Sequence, residues 1–172
     1  MACTACEEEK RGNCYLPTVE GDLCWPLDAA DPATVVRART LLHGALAVLG
    51  LGAETIGDTQ LGVAELVGNA VQHAQPPLEL RLRVHAGLAV IGVVDGSPTM
   101  PTWPAGTEAP NIAPSYGDLD QLIAELAEHG RGLGLVQRLS GDRCGAEPTR
   151  TRQATPGKRV WFAQQLPQAS TS

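Results

Sequence analysis

Residues 54–95 read ETIGDTQLGVAELVGNAVQHAQPPLELRLRVHAGLAVIGVVD, and two hydrophobic periods meet inside this stretch. Placed at 100° per residue, Val63, Leu66, Val67, Ala70 and Ala74 fall on one apolar arc, which predicts a helix from about Glu54 to Ala74. Pro76 and Pro77 disfavour helical geometry before them and end it. Beyond the prolines, Leu78, Leu80, Leu82 and Val84 alternate with Glu79, Arg81 and Arg83, the period of a strand with one solvated face. After a turn at residues 85–87, LAVIGVVD is almost wholly apolar, as expected of a strand covered on both faces, and it closes on Asp95. The two strands are expected to pair as an antiparallel hairpin.

Outward from this stretch the chain is less regular. Upstream, DPATVVRARTLLHGALAVLGL predicts a first helix with Asp31 as N-cap and Pro32 at its first position, ending near Gly50 or Gly52. Residues 1–25 are polar, acidic and turn-rich, and read as a flexible extension carrying cysteines. Downstream, Gly96 to about Tyr116 is rich in Pro, Gly, Thr and Ser, the composition of a long loop that can act as a lid. DLDQLIAELAEH follows as a short amphipathic helix, with Leu119, Leu122, Ile123 and Leu126 on one side. Gly130, Gly132 and Gly134 in GRGLGLVQRLS then open another helix, KRVWFAQQL reads as a last strand, and residues 168–172 as a disordered tail. The expected organisation is an extension over 1–25, one folded domain over 26–167, and the tail.

The totals narrow the function classes. A chain of 172 residues with 43% hydrophobic side chains can bury a real core as one domain. Its net charge of −6 removes the electrostatic drive for gripping nucleic acid or an anionic membrane, so neither is expected as a partner. No stretch reaches the roughly 18 consecutive apolar residues of a membrane span, and MACTACEEEK lacks the basic start and apolar run of a leader, which points to a cytoplasmic protein. Cys3, Cys6, Cys14 and Cys24 crowd the amino-terminal part. Their thiolates could complete a structural zinc site. A reduced, irregular tail is the other reading, favoured by the wide spacing of the second pair.

Three features could carry chemistry. Glu65, Asn69 and His73 recur one helical turn apart, so a carboxylate able to act as base and a carboxamide oxygen able to bind Mg²⁺ share one stripe with an imidazole. By spacing alone such a stripe is more often a solvated face. The run GRGLGL could cradle phosphates on backbone N–H groups at a helix start, or be a plain glycine-rich turn between helices. Asp95 could accept a hydrogen bond from an amino group in a pocket, or cap the Asp-Gly turn.

Their order favours the chemical readings. E-x-x-x-N-A-x-x-H on a helix, a strand ending in Asp, a lid, G-R-G-L-G-L and a strand carrying GKRVW together resemble the GHKL (histidine-kinase-like) ATPase superfamily, over about Trp25 to Leu166. The likeness is greatest to short single-domain regulators akin to anti-sigma-factor serine/threonine kinases. The resemblance implies an α/β (α+β) fold, a two-layer sandwich of a mostly antiparallel sheet with helices on one face. The nucleotide pocket would lie between helices, sheet end and lid loop.

By the same resemblance ATP and Mg²⁺ are the cofactors. Glu65 would be the general base, Asn69 the Mg²⁺ ligand, and His73 a neighbour of the phosphates. Asp95 would read the adenine amino group, with Gly130, Arg131, Gly132, Leu133 and Gly134 wrapping the phosphates and Lys158 a further contact. Many superfamily members carry D-x-G-x-G where this chain has Asp95, Gly96, Ser97 and Pro98. The expected activity is phosphotransfer to a regulatory protein, either a sigma factor or an anti-sigma antagonist. The alternative is a non-catalytic module that sequesters such a partner in an ATP-dependent way. A homodimer is an assembly that the resemblance leaves open.

Overall fold

A computed structural model describes residues 21–103 and 132–167. The described elements are strand β1 (Gly21–Leu27), helix α1 (Thr34–Val48), helix α2 (Ala53–His73), strands β2 (Leu78–His85) and β3 (Leu88–Asp95), helix α3 (Gly132–Leu139), and strands β4 (Cys144–Arg150) and β5 (Pro156–Gln165). The strands form one sheet in the order β1-β2-β3-β5-β4. Every neighbouring pair is antiparallel. Helix α2 lies against the sheet through β3 and β5 and packs against both α1 and α3. The result is the two-layer α/β sandwich expected from the sequence.

The core follows from the two periods. Inward residues of the central strands stand in rows: Leu82, Ile91 and Phe162 are cross-strand neighbours, and so are Leu80, Val93 and Val160. Onto these rows α2 sets Val63, Leu66, Val67 and Ala70, and α1 adds Ala38, Leu42 and Leu46, all buried. Removing a Val, Leu or Ile side chain from water contributes about 1.5–3 kcal/mol each, so this shared core of helices and sheet is the main source of stability. Phe162, the single Phe of the chain, is wholly buried in the middle of it.

Where sequence and structure differ, the reasons are local. Residues 21–25, read as part of the extension, belong to edge strand β1, which pairs with β2 from Gly21 opposite Val84 to Leu27 opposite Leu78. Asp31 does not cap α1: the N-cap position is Ala33, and Asp31 instead accepts from the Ala33 and Thr34 N–H groups in the turn before the helix. Strand β4 follows α3 as the other sheet edge. Glu79, assigned to a solvated face, is buried, because the chain between β4 and β5 folds over that part of β2: the Arg152 N–H donates to Glu79 Oε1 at 2.6 Å and Arg81 Nη2 to the Arg150 carbonyl at 2.9 Å. The amphipathic helix expected near 118–129, most of the lid loop, and the 168–172 tail lie outside the described residues.

Candidate functional site

Helix α2 does not carry its polar stripe along a uniform border. Glu65 is buried, Asn69 is half-buried and His73 is exposed, so the stripe climbs out of the core as the helix approaches Pro76 and Pro77. Its upper part faces a cavity of about 330 Å³ lined by Asn69 and His73 of α2, Val93 and Asp95 of β3, Lys158 and Val160 of β5, Leu133 of α3 and the Ser97–Pro101 segment. Five residues singled out in the sequence thus meet in one place: Asn69, His73, Asp95, Leu133 and Lys158.

Two strands build the charged end of this cavity. Asp95 closes β3 and stands directly opposite Lys158 at the start of β5. The Lys158 ammonium donates to Asp95 Oδ1 at 2.8 Å and approaches the Ser97 carbonyl at 3.5 Å. The Ser97 N–H also donates to Asp95 Oδ1, at 2.8 Å. Asp95 therefore caps the turn after β3 and also lines the cavity. Gly96 fits here because its N–H donates to the Gln75 carbonyl at 2.7 Å while a Cβ would collide with the Pro76 carbonyl. The Asp95 turn is pinned to the end of α2 by that contact.

Glu65 lies deeper and does not line the cavity. Its carboxylate packs against the backbone of Gly132, the first residue of α3, where any Cβ would run into it. Glycine at this position is what lets the helix start approach the carboxyl. Glu65 Oε1 is buried with no hydrogen-bond partner among the described residues, and burial pushes its carboxyl up from 4.5 to about 7. Gly134 sits in the first turn of α3, whereas Gly130 and Arg131 lie outside the described residues.

A second cleft, about 660 Å³, opens between residues 26–30, 76–79 and Arg152–Gln153. It is larger, yet its buried carboxylate is saturated: Glu79 Oε2 accepts from Arg81 Nε and Nη2, and Oε1 from the Arg152 N–H. Saturated charges hold structure rather than await a ligand, so the smaller cavity is the candidate site. Cys24 belongs to this structural cluster, its thiol directed at Glu79 Oε2 at 3.6 Å and raised in pKa by burial and by that carboxylate. Cys3, Cys6 and Cys14 lie outside the described residues, and among the described residues no three His, Cys, Asp or Glu side chains group as a metal site.

A profile of the histidine kinase-like ATPase domain matches residues 29–162, more than half of the chain. The chain belongs to this family. It is an ATP-binding domain of the histidine kinase-like type, as the GHKL resemblance implied. Comparison with curated proteins gives no match. Among the described residues no helix is long and apolar enough to cross a membrane.

The cavity suits the family's nucleotide on its own geometry. Its volume lies in the roughly 300–1,000 Å³ range of small-molecule sites, Val93 and Val160 offer apolar faces to a base, and Asp95 and Lys158 offer an acceptor and a donor beside them. The sequence placed Ser97 and Thr99–Pro101 in the lid loop without naming them as site residues, and they line the cavity where the chain turns after Asp95.

Proposed function

We propose that the chain is an ATP·Mg²⁺-dependent regulator that transfers the γ-phosphoryl group to a serine or threonine of a protein partner, in the manner of anti-sigma-factor kinases. The observation that carries the catalytic half is Glu65: a buried carboxyl with no partner on Oε1 among the described residues, raised toward neutral pH beside Gly132 of α3. A base serves best when its pKa lies close to the working pH, and Glu65 meets that condition by burial alone.

Bound ATP supplies the transferable phosphoryl group, and Mg²⁺ neutralises charge on the phosphates. Within the chain, Asp95 holds the base end and the half-buried Asn69 offers its carboxamide oxygen as the metal ligand. The backbone N–H groups of Gly132, Leu133 and Gly134 present the positive end of α3 to the phosphates. His73, exposed at the end of α2, adds a polar contact at the rim. Glu65 takes the proton of the attacking hydroxyl on Oε1 and returns it to solvent. Gly130 and Arg131 complete the phosphate loop in this reading.

The partner is a sigma factor or an anti-sigma antagonist, with a homodimer as the working assembly and the cytoplasm as the setting. The acidic balance argues against nucleic acid. The non-catalytic alternative keeps one observation of its own, that Glu65 is walled off from the cavity in this structure. The two separate in a transfer assay with γ-labelled ATP, Mg²⁺ and the protein that copurifies with the chain. Label on a serine or threonine of that protein is the expected result. ATP binding without label on the partner at long incubation would favour the sequestering module.

A further inference from the structure

The Asp95–Lys158 pair is incompletely used. An ammonium group has three N–H donors, and those of Lys158 reach Asp95 Oδ1 and the Ser97 carbonyl, which leaves one without a partner among the described residues. The hydrogen bonds accepted by Asp95, from Lys158 and from the Ser97 N–H, both fall on Oδ1, so Oδ2 has no partner among the described residues either. Both residues are buried, with side chains 2% exposed for Asp95 and 10% for Lys158, and both line the same cavity. Burying two charges is expensive unless every donor and acceptor finds a use. An idle donor beside an idle acceptor is complementary to a ring edge that carries an amino group next to an unprotonated nitrogen.

We propose that Lys158 is a specificity-determining residue that reads adenine directly: Asp95 Oδ2 accepts from the 6-amino group while the free N–H of Lys158 donates to ring nitrogen N1. The register fixes the two readers relative to each other, since Asp95 and Lys158 are cross-strand partners at the end of the paired strands β3 and β5 rather than residues on loops. Guanine in the same pose sets its carbonyl oxygen against the carboxylate and its N1–H against the ammonium, a mismatch at both positions. Val93 and Val160 flank the pair and give the ring apolar contacts. The inference rests on the ATP-binding reading and adds to it the half of the base edge that Asp95 alone does not read.

The test compares ATP with 1-deaza-ATP, in which N1 is replaced by C–H and the 6-amino group is kept, by titration calorimetry on the wild type and on Lys158→Met. The wild type is expected to bind ATP about 10- to 100-fold more tightly than the deaza analogue, the span of one hydrogen bond to a charged group. Lys158→Met is expected to bind the two alike. A wild type that binds both equally overturns the inference while leaving the ATP reading intact, and this arm needs no variant to fold. A Lys158→Met protein that keeps the full preference also overturns it, because the discrimination then has another source. GTP binding as tightly as ATP overturns it too. A wild type that binds neither adenine nucleotide contradicts the ATP reading itself, and the inference falls with it.

Discussion

Two glutamates of this chain are almost equally buried, Glu79 at 2% exposed and Glu65 at 4%, and their surroundings could hardly differ more. On the outer side of β2, Glu79 takes two bonds from the Arg81 guanidinium, one from the Arg152 N–H and a weak one from the Cys24 thiol. Behind Gly132, Glu65 has an oxygen with no partner among the described residues and a carboxyl raised to about 7. Burial by itself therefore does not mark a working carboxylate. What separates them is whether the group's hydrogen-bonding capacity is already used: the satisfied Glu79 ties strands together, whereas the unsatisfied Glu65 is the one we propose as the base.

The comparison breaks most visibly at Glu65. Glu65→Gln should lower phosphotransfer by about 10²- to 10⁴-fold, the usual span for removal of a general base, while leaving ATP affinity close to wild type. Single-turnover transfer to the copurified partner, read beside nucleotide calorimetry, checks both halves. Turnover near the wild-type rate would move the base elsewhere.

Glu79 should answer in stability instead. Glu79→Ala leaves the Arg81 guanidinium in a half-buried position without its carboxylate, a loss of about 3–5 kcal/mol when a buried pair is broken. Urea unfolding should show this as a fall in midpoint with an unchanged slope. Transfer per folded molecule should stay the same, and a loss of transfer without a loss of stability would erase the distinction between the two glutamates.

The pH dependence of stability sharpens the same contrast. Folded, Glu65 keeps its proton up to about pH 7, whereas the unfolded chain releases it near 4.5. The contribution from burying a neutral acid is therefore complete below about pH 4.5 and is lost as pH rises through about 7. Set against Glu65→Gln, which cannot ionise, the wild type should lose about 3 kcal/mol at most across that interval. A stability difference that stays flat from pH 4.5 to 8 would contradict the burial that raises this carboxyl.

A smaller effect belongs to Asp95. Asp95→Asn can turn a donor toward the adenine amino group and weakens the hold on Lys158, so ATP affinity should fall about tenfold. Calorimetry gives the number directly.

The legible parts of this chain were the central ones. Helix α2, the β2–β3 hairpin and β5 stand out because each has one face or both in the core, and burial writes a period into the sequence. The edge strands β1 and β4 have no such period. They carry Pro26 and Pro148, which sheets accept at edges, and mostly exposed or half-buried residues, so residues 21–25 read as extension and CGAEPTR left no signal. In the site, the stripe on α2 was visible, yet a helical wheel cannot tell that Glu65 is sealed in while His73 stands in solvent. That gradient depends on how α2 tilts against β3 and on the arrival of Gly132 from far along the chain. The opposition of Asp95 and Lys158 is a matter of strand register across 63 residues, which no local spacing encodes. Glu79 was misassigned for a related reason, since its cover comes from Arg152 in the β4–β5 connection.

The central claim is that the cavity between α2, β3 and β5 is a nucleotide site, and titration of ATP with Mg²⁺ into the purified chain tests it most directly. A saturable heat at one site per chain, weakened by Asp95→Asn, is the result that the account predicts. No heat at saturating nucleotide, or an affinity indifferent to Asp95, would contradict it.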